Sequence, residues 1–72
     1  MRTLELGTYT HYKGNSYLVI GVAKHSETHE DLVVYVSLYP NEMASMWVRP
    51  LAMFLEDVTI DGVTMPRFQK NN

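Results

Sequence analysis

His25-Ser26-Glu27-Thr28-His29-Glu30 packs four metal-capable side chains into six residues. Zinc asks for three or four protein ligands in a fixed geometry. The His25/His29 spacing suits one face of a helix, but a segment this rich in Ser, Thr and Glu reads as a solvated loop. It also lacks the H-E-x-x-H signature. The expectation is a loop and no metal. His11 stands beside Tyr12 and Lys13. An imidazole there can act as a general base or donate to a ligand; the plainer alternative is a rim histidine bonded to backbone. Ser26 next to His25 makes no Ser–His pair, because adjacent extended side chains point apart. Glu27, Glu30 and Glu56 offer carboxylates for acid–base work, but such selections arise in almost any chain. There is no phosphate loop and no dinucleotide fingerprint. No catalytic residue is assigned and no cofactor is implied.

A second constellation is aromatic. Tyr17, Tyr35, Tyr39, Trp47 and Arg49 fall at spacings that place them on one face if their segments are strands. Rings beside a guanidinium offer stacking, cation–π contact and anion binding. That equipment suits a nucleobase, a nucleotide, a Pro-rich peptide or a carboxylate. The alternative is that a helical turn or the first strand covers this face as half of the core.

The elements that must position these residues are short strands separated by turn signals. Strands are predicted over 7–12, 16–24, 31–39, 46–49 and 58–60. Lys13-Gly14-Asn15 and Asp61-Gly62 are the turn dipeptides and their neighbours, and 25–30 and 41–45 are loops. Residues 50–54 begin with Pro and contain Ala and Met, which predicts one helical turn. Residues 63–68 form a hairpin partner or run extended. Four strands, a helical turn and a fifth strand predict an all-β fold, a small SH3-like barrel; an open mixed sheet is the rival. Such a fold carries no function by itself.

Side-chain alternation sorts the faces. Leu32, Val34, Val36 and Leu38 share one face of the third strand, with Met46 and Val48 beside them. Leu18, Ile20 and Val22 match that set, and together these aliphatic residues are the expected core. A bulge would flip part of the assignment.

Composition bounds the rest. The chain has 72 residues, a single domain with an ordered part over 7–68 and a polar tail over 69–72. Apolar residues make up 46% and charged residues 19%, which excludes a disordered chain. A net charge of −2 disfavours general duplex binding. With no Cys, disulfides, thiolate zinc and a Cys nucleophile are excluded. No apolar run spans a bilayer, and Met1-Arg2-Thr3-Leu4-Glu5 lacks a signal-peptide core. A cytoplasmic location with no membrane partner is expected.

Five blocks together resemble a known family: Tyr9-Thr10-His11-Tyr12-Lys13-Gly14-Asn15, Ala23-Lys24-His25-Ser26-Glu27-Thr28, Leu32-Val33-Val34-Tyr35, Trp47-Val48-Arg49-Pro50-Leu51 and Pro66-Arg67-Phe68. The chain is similar to the small bacterial domain-of-unknown-function family numbered 1653, over most of its length. The resemblance implies a compact bacterial domain and no assigned activity. It marks His11, Lys13, His25, Glu27, Glu30, Tyr35, Trp47, Arg49 and Arg67 as positions carried by the family pattern. His29 departs from that pattern, which further weakens the metal reading.

The sequence therefore points to a non-enzymatic binding module. The expected ligand-binding residues are Tyr35, Trp47 and Arg49, with His11, His25 and Glu27 near one rim. A nucleotide or single-stranded nucleic acid is the first ligand class. A protein or peptide partner, including a second copy, is the alternative, and a small hydrolase-type enzyme using His and Glu is the third.

Overall fold

Turn chemistry sets the strand boundaries. The computed structural model describes residues 4–43 and 45–71; Met1 to Thr3, Ala44 and Asn72 lie outside, so the chain start, the centre of the 41–45 loop and the end of the tail are not characterised. β1 (Gly7–His11) and β2 (Ser16–Lys24) are joined by a tight turn in which Gly14 takes φ 108°. His11 N–H donates to Asn15 O at 2.8 Å and Gly14 N–H to His11 O at 2.7 Å. β3 (Asp31–Ser37) and β4 (Met46–Pro50) follow. Pro50 then turns the chain into the single turn α1 (Leu51–Phe54). No side chain caps α1. So short a helix gains little from its own hydrogen bonds and is held by burial of Leu51 and Phe54. β5 (Asp57–Ile60) and β6 (Val63–Pro66) form a hairpin, and β7 (Phe68–Lys70) is the last described strand. Asp61 and Gly62 both have positive φ, 52° and 79°, the pattern of a type I′ turn.

The fold is all-β with one short helix, as expected. The strands make two antiparallel sheets, a five-stranded sheet in the order β4-β3-β2-β1-β7 and the separate β5-β6 ribbon. The expected barrel is not closed. After α1 the chain leaves the main sheet as the ribbon and returns to pair with β1, so β4 stays an open edge. Both edges are short, five and three residues, and β4 ends at Pro50, which limits unwanted strand pairing. Gln69 and Lys70 pair with Thr10 and Tyr9, so the sheet runs two residues past the expected boundary at Phe68.

The inward face is the reverse of the expected one. The buried core is Tyr9, Val19, Val33, Tyr35, Leu51, Phe54 and Phe68. Leu18, Ile20, Met46, Val48 and Leu38 are exposed, and Leu32, Val34 and Val36 are only half-buried. Alternation grouped the residues of β3 and β4 correctly, but it put Val22 with Leu18 and Ile20, which the β2 bulge separates, and it could not say which face is covered. The cover settles it. α1 folds across the aromatic side and inserts Phe54, whose ring stacks on Phe68 with centroids 4.1 Å apart and planes at 6°. Tyr9 and Tyr35 meet Phe54 edge-on at 5.3 and 5.7 Å, the geometry their quadrupoles favour. The register of β2 against β3 shifts between Val19 and Gly21. This bulge leaves Leu18 outward opposite Val36 and returns Val22 to the side of Val33. No helix among the described residues is long and apolar enough to cross a membrane.

The two faces predict opposite mutational responses. Phe54→Ala should cost about 3–5 kcal/mol, most of the stability of a domain this size. Val48→Thr should stay within about 0.5 kcal/mol. Urea denaturation of both variants checks this; a Val48 effect as large as that of Phe54 would contradict the face assignment.

Candidate functional site

Arg49 organises the polar edge of the aromatic face. The β3–β4 register places it opposite Val33, two residues from Trp47, which lies opposite Tyr35. Its Nε–H donates to the Tyr35 hydroxyl at 3.3 Å. Its guanidinium carbon lies 5.4 Å from the Phe68 ring centroid, a cation–π contact. The side chain is half-buried, and among the described residues no carboxylate pairs with it. Removing a guanidinium from water without a counter-charge is costly, so this cation is held ready by a phenol and a ring.

His11 approaches the same ring from β1. Its imidazole meets Phe68 edge-on at 4.9 Å and lies against Tyr12 at 4.5 Å. Nδ1 accepts from the Lys13 N–H at 3.2 Å, which assigns the remaining proton of the neutral ring to Nε2. Burial pushes the His11 pKa down, and the positive charges of Arg49, Arg67 and Lys13 push it further the same way. Three cations therefore act on one imidazole in a protein of net charge −2. Arg67 is partly neutralised by Glu56, at 3.2 Å from Nη2, while its buried Nε has no hydrogen-bond partner among the described residues. Lys13 sits over the Tyr12 ring at 5.8 Å.

The neighbouring rings are tied by hydroxyls. Tyr17 and Tyr39 share a hydrogen bond of 2.8 Å. The Tyr17 phenol is pushed up to about 12, first by burial, then by that bond and the phenols of Tyr39 and Tyr35, against the opposing pull of Arg49. It stays neutral in the physiological range and serves as a hydrogen-bonding group. The Trp47 indole N–H donates to Ser37 Oγ at 2.7 Å. Tyr35 is only 4% exposed. It offers its hydroxyl, and the stacking role expected of its ring is unavailable. Half-buried Trp47, Tyr39 and Tyr12 keep ring surface at the margin.

The expected residues thus divide. Tyr35, Arg49 and His11 meet around Phe68, and Trp47 lies on the same face, opposite Tyr35 and packed against the core. His25 and Glu27 do not join them. They occupy the loop at the far end of nine-residue β2 from the His11 turn, about 25–30 Å along the strand. This corrects the expectation of a shared rim; a His11–Glu27 acid–base pair is excluded by the same separation. His25 organises its own loop. Its Nδ1 accepts from the N–H groups of Glu27 and Thr28 at 3.1 and 3.3 Å, and His29 N–H donates to His25 O at 2.9 Å. His29 sits at φ 63°. Among the described residues no three His, Cys, Asp or Glu side chains cluster to hold a metal. The sequence missed Tyr12 as a member of the corner; Lys13 was marked only through the family pattern. The adjacency of Tyr12 to His11 was visible, but the ring contact between the two was not.

An open antiparallel sheet capped on one side by a helical turn, with a cationic corner on an aromatic floor, defines the class of this domain. The chain belongs to DUF1653, a family described as "Protein of unknown function", whose model matches residues 7–70. It is similar to the crystal structure of a DUF1653 protein from Bordetella bronchiseptica, with 38% identity and a TM-score of 0.91 over 94% of this chain and 87% of that one. No curated protein matches it.

The His11 environment predicts a pH response. Because its folded pKa lies below the ordinary value of 6.5, the unfolded chain takes up a proton that the folded corner refuses. Stability is full above the ordinary value and falls as the pH drops through it. From about pH 7 to about pH 5, the wild-type urea midpoint should fall more steeply than that of His11→Gln; parallel profiles would count against the described corner. In the other loop, His29→Gly should stabilise by about 1 kcal/mol by relieving the left-handed backbone, read from the same denaturation curves.

Proposed function

We propose that this domain is a non-enzymatic binding module that takes an anionic ligand at the corner formed by Arg49, His11 and Phe68. A nucleotide or a short single-stranded nucleic acid is the ligand class. The observation that carries the reading is the half-buried Arg49 guanidinium, oriented by the Tyr35 hydroxyl and the Phe68 ring and paired with no carboxylate among the described residues. A planar guanidinium fixed in this way suits a phosphate or carboxylate. Lys13 and Arg67 add positive charge beside it. The exposed margins of Tyr12 and Trp47 are the surfaces on which a base would rest. Acidic residues elsewhere favour a local contact over general attraction to a polyanion. Absence of cysteine is compatible with a cytoplasmic setting, where such ligands abound.

The test is an NMR titration of labelled protein with inorganic phosphate, adenosine monophosphate and a short oligo-deoxythymidine. The expected result is a shift pattern centred on Arg49 Nε–H, His11 and the Trp47 indole. Arg49→Gln should weaken binding about 10- to 100-fold, the worth of one charged hydrogen-bonding group. Absence of shifts with all three probes, or equal binding by Arg49→Gln, would overturn the reading.

A further inference from the structure

Among the described residues, the outward face of the main sheet is both apolar and free of charge. Leu18 and Ile20 of β2, Val34 and Val36 of β3, and Met46 and Val48 of β4 form a continuous aliphatic surface across three strands. Met46 is 57% and Val48 60% exposed. The three strands carry only three charged residues, Lys24, Asp31 and Arg49. All three lie on the other face: Lys24 pairs with Asp31, and Arg49 pairs with buried Val33. Towards β1 and β7 the outward residues become polar but remain uncharged, with Thr8, Thr10 and Gln69. A solvated sheet face normally alternates to polar or charged side chains. An apolar centre with a polar margin is instead the anatomy of an interface.

We propose that this face binds a second copy of the same chain, sheet against sheet, to give a symmetric dimer. A twofold axis lays a patch on itself, so each charge near the axis would face its own like. A face with no charge at all meets that condition without any pairing. A different protein would be selected by complementary charge, and this face offers none to read. The net charge of −2 leaves little repulsion between copies. The twist of each sheet sets the two sets of strands about 30° apart with about 10 Å between layers. Continuous pairing through the β4 edge is the weaker geometry, because that strand is five residues long and ends in Pro50. The dimer leaves the Arg49 corner on the opposite side of each sheet, so it is independent of the ligand proposed above.

Sedimentation velocity of the full chain from low to high micromolar concentration tests this. The wild type is expected to convert from monomer to dimer across the range. Val48→Lys places a charge at the centre of the face at a position solvated in the monomer, and is expected to weaken dimerisation by about tenfold or more with an unchanged circular dichroism spectrum. Thr59→Lys, on the exposed hairpin, is expected to dimerise as the wild type does. Should Val48→Lys misfold, intermolecular methyl contacts in a mixed-label sample supply the test, with Leu18, Ile20 and Val36 meeting across the interface. A wild type that stays monomeric at high micromolar concentration, a folded Val48→Lys that dimerises normally, or contacts located on another surface would each overturn the proposal.

Discussion

Phe68 and Phe54 lie flat on one another, and the rest of the molecule is arranged around that contact. It joins β7 to α1 and closes the aromatic side of a sheet that is open at both edges. Tyr9, Tyr17 and Tyr35 approach the pair edge-on. With no disulfide possible, a chain of this length has few other means of closing a core. The same ring also supports the polar corner. His11 and Arg49 both rest on Phe68, so the position of the cation is set by the packing of the core. A loss at Phe68 would therefore reach the corner and the fold together, whereas a change at Arg49 reaches only the corner.

Charge is segregated along the same lines. Arg49, Arg67 and Lys13 act together on His11, and among the described residues only Glu56 answers them at close range. Asp31 on β3 instead pairs with Lys24 at 2.7 Å. An acidic protein thus keeps a local positive field. Exposed pairs such as Lys24–Asp31 add little stability; the distribution matters more for what can approach the sheet than for how it folds.

Much of this was legible in the residues. The limits of β2, the Asp61-Gly62 turn and the helical turn after Pro50 follow from local chemistry, because Gly, Pro and Asp restrict backbone angles wherever they stand. The inward face was not legible. A period of two identifies which side chains share a face, and both faces of β2–β4 are apolar, so alternation had no contrast to work with. The aliphatic set resembled an ordinary core, yet the deciding feature was a one-turn helix whose Phe54 matches the ring-lined side. Barrel closure failed for a related reason: which strand β7 joins depends on where Phe68 finds its partner, a contact between distant parts of the chain. His25 and His11 were grouped by residue type, although they flank opposite ends of β2.

The outward face follows from the same shortage of material. Apolar residues make up 46% of the sequence, but the buried core described holds only seven side chains. One short helix and one stacked ring can cover one side of a five-stranded sheet and no more. The chain nevertheless places Leu, Ile, Val and Met on the uncovered side, at positions where Thr, Lys or Glu would fold equally well and dissolve better. A sheet that is apolar on both faces needs a layer on each. This chain supplies the first layer from its own α1. Its free outer face has no charge to repel its own image, which makes a second copy the simplest source of the other.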